Sequence, residues 1–139
     1  MADYKVTPWE VSGEIDYDRL IREFGVKPLD EKLLKRIEKH THELHYFLKR
    51  KIFFAHTYFD TILDEAEKKH KFYLYTGRAP SGPVHLGHLV PWIFCKWLQD
   101  KFGVTLLFQI PDEEKFLFNE NLTLEETKKW AHENILDII

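Results

Sequence analysis

Phe72-Tyr-Leu-Tyr-Thr-Gly-Arg-Ala-Pro-Ser-Gly-Pro-Val-His-Leu-Gly-His88 passes from an aromatic, β-branched run through a Pro/Gly loop to a pair of histidines. The run Phe72 to Thr76 predicts a short buried strand that stops at Gly77. Residues 77–84 are mostly turn formers, and a helix is predicted from Leu86 to Phe102, ended by Gly103. Pro91 is near enough to that helix's start to cost little or only to kink it. Val104 to Ile110 is almost continuously apolar, as expected of a strand covered on both faces. Strand, loop, helix and strand in this order predict a right-handed parallel βαβ unit.

His85-Leu-Gly-His88 at a helix start puts two imidazoles and free backbone N–H groups where an anion sits, a place that suits nucleotide phosphates. Gly87 removes a side chain so that a ligand can approach the backbone, and neutral imidazoles can donate to phosphate oxygens. The four letters alone read equally well as a helix cap; their βαβ setting turns them toward phosphate. Asp112-Glu-Glu114 and Lys115 follow the second strand at its carboxyl end, where open α/β sheets bind ligands; the bland alternative is a solvated turn. A last helix opens with Thr123 and Glu126 in capping-box spacing and carries Trp130, Ile135, Leu136, Ile138 and Ile139 with no stop signal. One βαβ unit with such a helix cannot cover both faces of a parallel sheet, so the chain reads as half of a larger fold.

Upstream, residues 1–28 read as an irregular arm with a short helix from Tyr17 to Phe24, stopped by Gly25 and Pro28. A helix from about Leu29 to Lys39 is started by Asp30, and another from Tyr58 to Lys69 has Thr57 as its expected N-cap. Between them the cations Lys49-Arg-Lys51 interrupt an aromatic patch and belong in solvent. His42-Glu-Leu-His45 lacks the spacing that sets two ligands on one helical face, so surface histidines are expected there and no metal site. Trp92, Phe94 and Trp97 read as core.

With 139 residues, 44% of them apolar, the chain can build a real core, and no Gly/Ser linker or repeat divides it. Twenty basic against 23 acidic residues leave a net charge of −3, which excludes a general polyanion-binding field. One cysteine, Cys95, excludes an internal disulfide framework and points to a reducing compartment. No apolar run approaches the roughly 20 residues that cross a bilayer, and the amino terminus resembles neither a secretory signal nor a transit peptide. A cytoplasmic protein is expected.

His85-Leu-Gly-His88 matches the "HIGH" signature of class I aminoacyl-tRNA synthetases. Its neighbours Tyr75-Thr-Gly-Arg-Ala-Pro-Ser81, Lys96-Trp-Leu-Gln-Asp100 and Asp112-Glu-Glu-Lys-Phe116 resemble tryptophanyl-tRNA synthetases of the archaeal and eukaryotic type. So do Thr7-Pro-Trp-Glu-Val11, Ile15-Asp-Tyr-Asp18, Phe47-Leu-Lys-Arg50 and Ile52-Phe-Phe54, so the resemblance covers nearly the whole chain. It implies an α/β fold: the first half of a Rossmann-like nucleotide-binding domain over residues 71–139, with a parallel βαβ unit, preceded by a mainly helical extension over residues 1–70.

It further implies ATP-dependent activation of L-tryptophan and charging of tRNA(Trp), with ATP and Mg²⁺ as the substrate complex, no tightly bound metal, and a homodimer away from membranes. His85, His88 and Lys115 would be catalytic. Arg78, Ala79, Pro80, Ser81, Gly82, Pro83, Val84, His85, Leu86, Gly87 and His88 would bind ATP. Tyr75, Gly77, Gln109 and Glu114 would bind tryptophan, with Tyr75 and Gln109 at the indole nitrogen and Glu114 at the ammonium. A tryptophan pocket does need an apolar slot and an acceptor for the indole N–H. On burial habits alone, Tyr75 would be core filling and Gln109 a satisfied buried amide. Pro8-Trp9 would fold over the nucleotide.

The eukaryotic members carry Thr-Asp-Asp-Glu-Lys where this chain has Pro111-Asp-Glu-Glu-Lys115, and the loop before His85 is slightly shorter. The family's second signature, a "KMSKS"-type loop, cannot be present, because the only methionine is Met1. The chain is therefore expected to be an amino-terminal fragment, inactive alone. Two other functions stand beside this one: another nucleotidyltransferase of the His-x-Gly-His superfamily, and a non-catalytic interaction fragment.

Overall fold

A computed structural model describes residues 5–6, 11–12, 21–118 and 121–139. Pro8-Trp9, the Ile15–Asp18 segment and the first half of the expected Tyr17–Phe24 helix lie outside them; residues 21–23 are helical, and Gly25 follows at φ +62°. The chain divides into two compact units, Met1–Leu63 and Asp64–Ile139.

In the first unit β1 (Lys5–Val6) pairs antiparallel with β2 (Val11–Ser12), and β3 (Lys27–Pro28) pairs antiparallel with β4 (Ala55–His56). Helix α1 (Glu31–Thr41) starts two residues later than its periodicity predicts, because Asp30 is the N-cap: its Oδ1 accepts the Leu33 N–H at 2.7 Å. Leu33, Ile37 and Thr41, one turn apart, form its buried face, and His42 ends it at φ +63°. Helix α2 (Tyr46–Lys49) is capped by His45 and buries Phe47 and Leu48, while Lys49, Arg50 and Lys51 are exposed as expected. Helix α3 (Phe59–Glu67) departs from expectation at its start. The Phe59 N–H is taken by His56 Nδ1 at 3.0 Å, a ring on β4 that reaches the first turn, and not by Thr57.

The second unit is the βαβ unit. Strand β5 (Tyr73–Gly77), helix α4 (Leu86–Phe102) and strand β6 (Thr105–Gln109) follow in order, and the strands pair in parallel with Tyr75 opposite Leu107 and Gly77 opposite Gln109. α4 runs through Pro91 and ends where expected, at Gly103 in the left-handed region (φ +63°). Its Trp92 meets Phe108 edge-on, ring centroids 5.2 Å apart, and Phe102 meets Phe72 at 5.7 Å.

β5 is not the buried strand its composition predicts, and β6 has the single cover that one βαβ unit can give it. Exposure alternates along β5 and β6, and Tyr73 (64%), Tyr75 (61%) and Leu107 (48%) share the open face. The apolar run of β6 is suited to two covers, and the helix between the strands supplies one.

Two further helices complete the unit. The acidic segment after Pro111 is helix α5 (Asp112–Phe118), its three carboxylates in the first turn, where they complement the helix dipole. Helix α6 (Leu124–Ile138) opens with the expected capping box, Thr123 and Glu126 each bonding the other's end of the first turn. Its buried positions are Thr127, Ala131 and Asn134, while the apolar Leu136 (74%) and Ile139 (97%) point outward. No helix among the described residues is long and apolar enough to cross a membrane.

Candidate active site

The site grows from the junction of β5 and α4. Gly77 ends β5 so close to β6 that a Cβ there would lie 2.7 Å from Gln109 O, so only glycine permits the pairing. The Arg78 N–H donates to the same carbonyl at 2.9 Å, carrying the ladder one residue past the strand.

His85 is the N-cap of α4. Its Nδ1 accepts the Gly87 N–H at 3.2 Å, and His88 Nδ1 accepts the His85 N–H at 3.1 Å, so two imidazoles form the capping box that a hydroxyl and a carboxylate usually make. The rings stack with centroids 3.6 Å apart and planes tilted by 31°. Gly87 makes this possible: a Cβ there would lie 3.1 Å from the His85 ring. Its glycine thus serves the fold of the rings themselves.

A neutral ring that accepts at Nδ1 carries its proton on Nε2, which for His85 leaves that nitrogen a donor. His88 is held neutral: burial, then the Arg78 guanidinium, then His85 lower its pKa below the ordinary histidine value. Arg78 Nη1 lies 2.8 Å from His88 Nε2. A neutral ring accepts at only one nitrogen, so the tautomer of His88 decides whether it takes the His85 N–H at Nδ1 or the Arg78 N–H at Nε2. Arg78 is otherwise fixed, its Nε donating to Asn134 Oδ1 at 2.9 Å and its Nη2 to the Gly82 and Pro83 carbonyls at 3.3 and 3.2 Å. Burial lowers its pKa from the ordinary arginine value, and it remains a cation at neutral pH.

A cavity of about 310 Å³ opens here, lined among others by Gly77, Arg78, Ala79, Ser81, Gly87, His88 and Lys115. The residues that sequence reasoning assigned to phosphate and catalysis are thus largely brought together, Lys115 arriving from α5. His85 packs on His88. Pro80 is fully buried, Gly82 and Pro83 offer carbonyls to Arg78, Val84 is half-buried, and Leu86 is 81% exposed. Tyr75 and Gln109 lie on the open sheet face, Gln109 at the last residue of β6 and Tyr75 two residues inside the end of β5. Neither is core filling here. Glu114 is exposed on α5 and does not line the cavity. Among the described residues no group of three or more His, Cys, Asp or Glu side chains is placed to hold a metal ion.

Two residues near the site were not foreseen as part of it. Trp92 lines the cavity and stacks on His88, planes 18° apart at 5.9 Å. Asn134, fully buried on α6, bonds both Arg78 and Gly82. Its signal was the Thr127, Ala131, Asn134 spacing, which makes a narrow small-residue helical face beside a more conspicuous apolar one.

Residues 67–138 match the family model of class I tRNA synthetases (W and Y). The tryptophan–tRNA ligase of Pyrococcus abyssi is 57% identical over 140 aligned residues, covering all of this chain and 36% of that protein. Among solved structures, the tryptophanyl-tRNA synthetase of Plasmodium falciparum is 48% identical with a TM-score of 0.85, over 89% of this chain and 35% of that one. That of Encephalitozoon cuniculi, solved bound to tryptophan, is 44% identical with a TM-score of 0.83, over 90% and 35%. The chain thus spans about a third of the length of these relatives. With more than half its residues inside the family model, and the βαβ unit and paired histidines at its centre, the chain belongs to the class I tRNA synthetases of the tryptophan and tyrosine group.

Proposed function

We propose that this chain is the amino-terminal third of a tryptophan–tRNA ligase, which activates L-tryptophan with ATP and then charges tRNA(Trp). The observation that carries the reading is the meeting of Arg78, His88 and Lys115 on one cavity at the start of α4, with His85 stacked on His88. That is a preorganised anion site with its cost already met in the fold. MgATP, entering as substrate, would set its phosphates there. A tryptophan carboxylate oxygen then attacks the α-phosphorus in line, a new P–O bond forms, the bond to the bridging oxygen breaks, and pyrophosphate leaves with that oxygen's electron pair. His85 and His88 donate to the oxygens that gain charge as phosphorus becomes five-coordinate, and Arg78 and Lys115 neutralise it. In the second step a hydroxyl of the tRNA 3′ end attacks the carbonyl carbon, and AMP departs. Neither step needs a covalent enzyme intermediate.

Tyr75, Gly77 and Gln109 are the tryptophan-facing set in this reading. They share one sheet face, and Tyr75 and Gln109 offer acceptor oxygens for an indole N–H. Glu114 would meet the ammonium. Residues 1–70 form the extension and 71–139 the catalytic part, in a cytoplasmic homodimer. The alternative of another His-x-Gly-His nucleotidyltransferase is disfavoured by Tyr75 and Gln109 and by the names of the relatives. The test is tryptophan-dependent exchange of pyrophosphate into ATP by the full-length protein. Exchange is expected for the unsubstituted protein and none for the His85→Ala, His88→Ala double variant; equal exchange in both would overturn the reading.

A further inference from the structure

We propose that Asn134 is a positioning residue for Arg78, holding the guanidinium at the angle from which it meets the bound phosphate; the inference rests on the anion-site reading above. Asn134 has no exposed surface, although it lies on the last helix, 56 residues beyond Arg78 in the chain. Its amide has one permitted orientation. Arginine only donates and a carbonyl only accepts, so Oδ1 must face Arg78 Nε (2.9 Å) and Nδ2 must face Gly82 O (3.1 Å). Gly82 O also receives Arg78 Nη2 at 3.3 Å, so Arg78, Asn134 and the loop carbonyl close a ring of hydrogen bonds.

The Nε contact is informative because Nε is the nitrogen nearest the flexible stem. Fixing it and Nη2 together fixes the plane of the guanidinium and leaves the Nη1 edge on His88, at the cavity. The helix is turned to permit this. A rotation chosen for apolar burial would take Leu136 inward, yet Leu136 is 74% exposed while the Thr127, Ala131 and Asn134 face is buried. Thr127 and Ala131, on the same face of α6 as Asn134, are buried with it. A buried polar group placed this way against a cation that faces a ligand cavity orients its partner in the manner of the outer-shell residues of preorganised sites.

The test uses the full-length protein in pyrophosphate exchange, with KM for ATP, KM for tryptophan and kcat measured separately, and ATP binding followed by calorimetry. Asn134→Ala is expected to weaken the ATP-dependent terms by about tenfold to a hundredfold, as misplacement of a catalytic group does, with KM for tryptophan unchanged. In an Arg78→Ala background the same substitution is expected to have no further kinetic effect, because its route is already cut. Should Asn134→Ala fold poorly, Asn134→Asp keeps the acceptor for Nε and is expected to retain more ATP-dependent activity than the alanine variant. A lowered melting temperature with unchanged kinetics would overturn the proposal in favour of a structural staple. Additive losses in the double variant, or an aspartate variant no better than alanine, would overturn it too. If the unsubstituted protein neither exchanges pyrophosphate nor binds ATP, the functional reading falls and this inference with it, which distinguishes the two failures.

Discussion

The two units use the same device to different ends. In the first, His45 and His56 each accept a backbone N–H at Nδ1, from Phe47 at 3.2 Å and Phe59 at 3.0 Å, and start a helix. In the second, His85 does the same for Gly87 at 3.2 Å. The caps are nearly identical; the surroundings of the ring's other edge are not. His45 is 7% exposed and packs edge-on against Phe47, ring centroids 4.7 Å apart, whereas His85 is exposed and lies on His88 beside a cavity with Arg78 and Lys115. A histidine at a helix start is therefore a structural feature by default. It becomes a candidate ligand group when its second nitrogen faces open space shared with cations.

The strongest way to break that contrast is kinetic. His88→Ala in the full-length protein is expected to lower pyrophosphate exchange about 10²–10³-fold, the loss that follows removal of one transition-state donor. His45→Ala is expected to leave exchange by the folded protein unchanged, and a comparable loss there would erase the distinction. Next in size is Gly77→Ala. Its Cβ would meet backbone, and a destabilisation of about 1–3 kcal/mol is expected in urea titration, as for other overpacked positions. His45→Ala itself should cost about 1 kcal/mol by the same measurement, as loss of a cap does.

A pH series sharpens the comparison further. Burial lowers the pKa of both His45 and His88 from the ordinary value of about 6.5. Below that value the unfolded chain takes up protons that the folded rings resist. Their contribution to stability is therefore complete above about pH 6.5 and is lost as the pH falls from there through the folded-state values. Melting temperatures should fall between pH 7 and pH 5. Bound ATP should raise the His88 pKa and leave that of His45 in place, which histidine proton-exchange NMR can read. The smallest effect is expected at Lys27, whose exposed bond to Asp60 at 2.6 Å joins β3 to α3: Lys27→Ala should leave the melting temperature unchanged.

What could be read from the residues was whatever they write locally. The bounds of α4 follow from His85 and Gly103, and the start of α6 from Thr123 and Glu126, because capping chemistry occupies fixed offsets. The fold family followed from the words around His85. Three features escaped, two of them because they depend on distant parts of the chain. β6 looks doubly covered because its composition answers to a second cover, while α4 supplies one. α5 begins as an acidic run with no apolar period to announce it. Asn134 is decided by partners 52 and 56 residues away. His56 displaced Thr57 for a related reason: a ring on β4 reaches a first-turn N–H that spacing had assigned to a nearer hydroxyl.

The half-covered β5–β6 pair bears on handling as well as on catalysis. Among the described residues β5 and β6 pair only with each other, which leaves each an outer edge, and the adjoining open face carries Tyr73, Tyr75 and Leu107. An edge flanked by aromatic and aliphatic side chains is a template on which other strands can grow. These 139 residues prepared on their own would thus be most vulnerable to self-association at the face that the proposed reading gives to tryptophan. Free tryptophan in the buffer would then act as a solubilising additive as much as a substrate.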